Sequence, residues 1–261
     1  MAEAKETPYY VLAPDGAVTI QTASQLAAGL SEPNPQARVS AALLLRYVDR
    51  PDVAQVIPPL VRLLDDPVEA VRNQAANTLS SVGPEAVPAL LDVIRGQGTT
   101  SGRHDTGVRL QRLAVETLGS LAWRSEEAKQ ALLDILQDPR VHTVVRYSAF
   151  SGLGQLGTGA PGVAPVLVDL LRRTTEDPSL RQAAIFTLEK LKPDPAPIEA
   201  LGEALRDPDI FVRRTAAWAL GRFGPAAKAA LPQLQAALLD PDNEVRLSAA
   251  ATIKTLTGSD Q

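Results

Sequence analysis

The chain of 261 residues is predicted to be all-α, a solenoid of about seven stacked helix pairs, with a candidate short β-hairpin at its N-terminus. Three observations lead there. A motif built on one arginine and one alanine returns seven times with a period in the thirties, the mark of stacked repeats. Each copy follows a second apolar run, typically with a proline in its first turns. Ala and Leu abound while aromatic residues are only 4 %, which favours close-packed helices over sheets.

Residues 1–21 form an N-terminal extension. Two β-prone runs, Tyr9–Leu12 and Ala17–Ile20, flank Pro14-Asp15-Gly16 and read as a hairpin. A lone hairpin is marginal in water, so it is expected to cap the first helix pair, a docking element for a partner being the alternative.

The repeats run over residues 22–257. In the most complete copy, Asp66 to Gly83, Asp66 is expected as N-cap, Pro67 at the first helical position and Gly83 as the left-handed stop before Pro84. The anchor positions are Arg38, Arg72, Gln111, Arg146, Arg181, Arg213 and Arg246, spaced by 34, 39, 35, 35, 32 and 33 residues. Three residues after each stands Ala41, Ala75, Ala114, Ala149, Ala184, Ala216 or Ala249. Four further on stands Leu45, Leu79, Leu118, Leu153, Leu188, Leu220 or Ile253. The preceding helices include Val53–Leu64, Glu85–Ile94, Val163–Arg173, Pro197–Arg206 and Ala226–Leu239, where prolines bend or delay the helix. Each unit is thus an antiparallel helix pair that buries both faces only by stacking.

The pattern Asp-Pro-x-x-x-Val-Arg-x-x-Ala-x-x-x-Leu, as in Asp207 to Leu220, resembles HEAT repeats, and more narrowly the HEAT-like repeats named after phycobilisome (bilin) lyases. The resemblance covers residues 22–257. It implies first helices on a convex side, second helices on a concave side, and an Asp–Arg ladder between repeats carried by Asp66, Asp138, Asp177, Asp207 and Asp240. Repeat three departs from it, with Gln111 for arginine and no Asp-Pro; repeat one has Glu32-Pro33 and Ala37.

At that third repeat lies an insertion, residues 95–107, with four glycines and no apolar side chain, expected as a flexible loop. Gly96-Gln97-Gly98 lacks the Gly-Lys-Ser/Thr and the preceding strand of a phosphate loop. The loop is either a closure over a bound partner or a tolerated insertion without function. Residues 258–261 are a tail.

The net charge of −4 provides no global attraction to nucleic acid or anionic lipid. No apolar run is long enough to span a bilayer, no signal peptide is recognisable, and cysteine is absent. A cytoplasmic protein is expected, and 20 arginines against 6 lysines hint at a GC-rich bacterial genome. The two histidines, His104 and His142, have no ligand spacing, and no nucleophile elbow is present. No metal, cofactor or catalytic group is therefore assigned. The aspartates before proline read as helix caps.

Candidate binding residues come from helical geometry. At 100° per residue, positions equivalent to Asn73 and Asn77 lie opposite the expected buried stripe Val71, Ala75, Leu79 and Val82 and face the groove. Across repeats these rows are Val39, Asn73, Arg112, Tyr147, Gln182, Arg214, Leu247 and Leu43, Asn77, Glu116, Ser151, Phe186, Trp218, Ala251. Tyr147, Phe186 and Trp218, flanked by Arg112, Lys190, Arg214 and Arg222, have the composition of a binding hot spot. The alternative is that the rings pack against the neighbouring inner helix. The first functional reading is a non-catalytic scaffold or adaptor whose groove clasps another protein. The second, from repeat type alone, is a bilin lyase-like or chromophore-handling factor. The third is a nucleic-acid-binding protein with Arg109, Arg112, Arg146, Arg213, Arg214 and Arg222 as a basic stripe, disfavoured by 30 acidic residues.

Overall fold

The structure, a computed structural model, describes residues 9–12, 18–48, 52–96, 104–158 and 160–258. Strands β1 (Tyr9–Leu12) and β2 (Val18–Gln21) pair antiparallel, with Tyr9 opposite Gln21 and Leu12 opposite Val18. Their connecting turn at Pro14-Asp15-Gly16 lies outside the described residues. The other regular elements among the described residues are helices. The helices are α1 (Ala23–Ala28), α2 (Pro35–Leu44), α3 (Val53–Leu63), α4 (Glu69–Val82), α5 (Val87–Ile94), α6 (His104–Leu121) and α7 (Glu126–Gln137). They continue with α8 (Thr143–Leu153), α9 (Val163–Arg172), α10 (Pro178–Leu191), α11 (Ile198–Ala204), α12 (Ile210–Phe223), α13 (Leu231–Ala237) and α14 (Asn243–Thr257). The architecture is an α-solenoid of helix pairs.

Two compact units, Met1–Ala131 and Leu132–Gln261, divide the chain within α7. In the first, the second helices α2, α4 and α6 stack in order, with α3 packed on α4 and α5 on α6. In the other, α8, α10, α12 and α14 form the row, backed by α9 on α10, α11 on α12 and α13 on α14.

The repeat pattern explains this packing residue by residue. The anchor is the fourth residue of α2, α4, α8, α10, α12 and α14. Each alanine three residues on is buried, as is each following leucine, leaving only Ile253 of that series partly exposed. Alanine lets neighbouring second helices approach closely, and each buried leucine contributes about 1.5–3 kcal/mol.

The aspartates do more and other than cap. Asp66, Asp207 and Asp240 stand ahead of their helices and accept from the N–H two residues on, Val68, Asp209 and Asp242. Each also takes a two-bonded arginine fork from the preceding repeat: Arg38 to Asp66, Arg181 to Asp207, Arg213 to Asp240. These forks are charge-assisted and geometrically specific. The ladder arginines also donate to backbone carbonyls ahead of their own helix, Arg213 to those of Asp207 and Pro208. One side chain therefore ties its own loop to the next repeat.

Several expected roles need correcting. Pro67 is outside α4, whose cap residue Val68 offers no side-chain acceptor. Capping falls to the second aspartate of Asp207-Pro208-Asp209 and Asp240-Pro241-Asp242. Of the first aspartates, Asp177 alone caps, accepting from Ser179 N–H. The ladder place beside it is held by Glu176, which receives Arg146 at 2.9 and 2.7 Å. Asp138 pairs with the nearby Arg140. In repeat three Gln111 keeps the backbone half of the arginine's work, donating to Ile94 O at 2.7 Å. The insertion is shorter than expected, because α6 begins at His104; residues 97–103 lie outside the described residues. A lone Gly107 costs a helix only about 1 kcal/mol, which the apolar run after it outweighs.

Candidate functional site

Within the second unit, the residues placed opposite the buried stripe are exposed. Tyr147 is 53 % exposed, Phe186 46 % and Trp218 40 %. Ser151, Lys190 and Arg222 are exposed too, while Gln182 and Arg214 are half-buried. The helical repeat accounts for this, since Phe186 and Trp218 follow the anchors Arg181 and Arg213 by five residues, on the far side from the core.

Phe186 of α10 and Trp218 of α12 meet with ring centroids 5.5 Å apart and planes inclined at 59°. With Gln182, Arg214, Thr215 and Ser248 they line an open slot of about 290 Å³. Gln182 Nε2 donates to Thr215 Oγ1 at 2.9 Å and closes the slot floor between the two helices. Thus the rings pack on one another and still present nearly half their area outward.

The cations around the slot divide into two kinds. Arg222 Nε donates to Glu189 Oε1 at 3.0 Å, and Lys192 Nζ meets the same oxygen at 3.1 Å. Burial pushes the Glu189 carboxyl up, but the hydrogen bonds from Lys192 and Arg222 outweigh it and hold the group below its ordinary range. Lys192 also donates to Arg222 O and lies 4.6 Å from the Phe223 ring centroid. Arg222 is therefore neutralised and structural in part. Arg214 instead stacks on Phe211, 5.4 Å from its centroid, and forms no ion pair with any described residue. Lys190 likewise has no ion-pair partner among the described residues.

Of the other expected site residues, Tyr147 packs edge-on to Phe150 of its own helix α8, centroids 6.1 Å apart. Arg112 belongs to the first unit, where it lies 3.8 Å from Glu116 one turn on. His142 is the N-cap of α8, its Nδ1 accepting from Val144 N–H. Further exposed aromatics fall outside the two predicted rows: Phe211, Tyr47 and Trp123, the last beneath Arg124. They sit in helix ends and connections, where periodicity has no predictive hold. Thr215 and Ser248 were also missed as slot residues, small polar side chains carrying no signal by themselves. A larger cavity of about 420 Å³ opens between the first helices α9 and α11, walled by Pro161, Pro165, Pro193, Pro195, Val168 and Ile198. Among the described residues no group of three or more His, Asp or Glu could hold a metal ion, and no helix is long and apolar enough to cross a membrane.

Comparison with known proteins follows the same lines. Human deoxyhypusine hydroxylase, solved with glycerol, is similar at 21 % identity over 91 % of this chain and 85 % of that one, TM-score 0.43. An engineered protein matches at 21 % identity, covering 90 % and 96 % of the chains, TM-score 0.33. A designed armadillo repeat protein in complex with the peptide (KR)4 matches at 19 %, covering 89 % and 98 %, TM-score 0.43. No curated protein matches the chain. The family model described as HEAT repeats matches residues 23–99, 101–177 and 165–254, and with three such matches spanning nearly all the helices described above, the chain belongs to the HEAT repeat family.

Proposed function

We propose that the protein is a non-catalytic scaffold that binds another protein through the exposed face of its second helices, centred on the Phe186–Trp218 slot. The carrying observation is that two large aromatic side chains, five residues past successive ladder arginines, form a joined and half-exposed surface. Such rings offer rigid apolar area at small conformational cost, and a neighbouring arginine adds planar hydrogen bonding. The repeat scaffold holds them at fixed spacing because α8, α10 and α12 are buried on their opposite sides and joined to the next repeat by Arg146–Glu176, Arg181–Asp207 and Arg213–Asp240. The test is retention of a partner from a native lysate by immobilised protein. Wild type should retain it and Tyr147→Ala/Phe186→Ala/Trp218→Ala should lose it while keeping wild-type helicity. Retention unchanged in that variant would show the face is wrongly assigned.

A further inference from the structure

Resting on that reading, we infer that the slot takes a large apolar side chain of a peptide segment that carries an Asp or Glu beside it, with Arg214 as receptor of the carboxylate. The slot's volume of about 290 Å³ falls just below the roughly 300–1,000 Å³ of small-molecule pockets and suits one side chain. Its walls, Phe186 and Trp218, select an apolar group.

The charge is what selects the neighbour. Helices α8, α10 and α12 contain one carboxylate, Glu189, which Lys192 and Arg222 already hold, and α14, which adds Ser248 to the slot, contributes one more, Glu244 in its first turn. Arg146, Arg181 and Arg213 are satisfied by ladder carboxylates. Arg214 and Lys190 remain as local positive excess in a chain of net charge −4. Arg214 lies with Cζ 5.4 Å from the Phe211 ring centroid and has no ion-pair partner among the described residues, so its planar guanidinium can offer a carboxylate a fork of N–H groups. Arg214 and Trp218 are one helical turn apart, about 5–6 Å, so the ligand's carboxylate and apolar group stand three or four residues apart in a helix or two apart in a strand.

Selection of a phage-displayed random peptide library on the immobilised full chain tests this. Enriched peptides should share Asp or Glu within four residues of Trp, Phe or Leu. In fluorescence anisotropy, replacing that acid by its amide should weaken wild-type binding by about tenfold or more and leave binding to Arg214→Gln unchanged. Enriched peptides without acidic residues, or bound equally by Arg214→Gln, overturn the carboxylate assignment and leave the protein-binding reading standing. No enrichment over a blank surface, or enrichment undiminished by Trp218→Ala, overturns both. Displacement of the peptides by a DNA duplex that binds Trp218→Ala equally well would assign the cations to phosphate and overturn the inference.

Discussion

Arg181 and Asp207 meet through two hydrogen bonds of 2.8 and 2.7 Å with side chains only 1 % and 2 % exposed. Charges so far from water are tolerable only as a pair. Asp207 also anchors the N–H of Asp209, so one carboxylate joins α10 to the loop that starts α12. Asp207→Ala should therefore cost about 3–5 kcal/mol, the penalty of a stranded buried arginine. Glu203→Ala, which leaves the exposed Arg172 only Glu199 at 3.8 Å among the described residues, should cost under about 1 kcal/mol. Urea unfolding of the two variants checks the contrast.

The acid limb of stability has a definite sign. Hydrogen bonding from Arg146 holds Glu176 below its ordinary 4.5, and hydrogen bonding from Ser179 holds Asp177 below 3.8. Burial raises Asp240, but Arg213 and the Asp242 N–H bring it below 3.8. Lowered carboxyls bind fewer protons folded than unfolded in acid. Their contribution is complete above the unfolded values and is lost as pH falls below about 5 and on through the lowered folded ones. Helicity followed at fixed urea should fall as pH is lowered below about 5, and a rise would contradict the ladder's role.

Gly83 closes α4 at φ 115°, where an L side chain is strained. Gly83→Ala should destabilise by about 1 kcal/mol or more, measured as a shift of the thermal midpoint.

Thr252 is buried in α14 and its hydroxyl donates to Ala217 O of α12 at 2.8 Å; Thr78 does the same to Ala42 O at 2.7 Å in the first unit. Thr252→Val keeps the shape and removes the bond, so a loss of about 1 kcal/mol is expected in chemical unfolding.

Much of this fold is legible in the sequence because the repeat resolves ambiguity that one copy leaves. Ala75 alone says little, whereas alanine at seven equivalent positions, all buried, marks where second helices touch. Exposure at Phe186 and Trp218 follows from the same frame. The aspartates were harder. Asp66 and Asp177 look alike in sequence and both accept from the N–H two residues on, but α10 starts directly after Asp177 whereas α4 starts only at Glu69, so the same bond caps one helix and not the other. The ladder carboxylate differs too: Asp66 itself receives Arg38, whereas Glu176 rather than Asp177 receives Arg146. The slot itself needed coordinates, since Gln182, Thr215 and Ser248 come from three repeats and acquire meaning by juxtaposition. The difference between Arg214 and Arg222 also rests on a contact, Glu189, that periodicity cannot supply.

The most direct measurement uses Trp218 as its own reporter. The chain has two tryptophans, so Trp123→Phe leaves Trp218 as the sole indole. Titrating this variant with the retained partner or a selected peptide should shift Trp218 emission to the blue, saturating with the binding isotherm. Emission that stays unchanged while the ligand is bound would contradict the account.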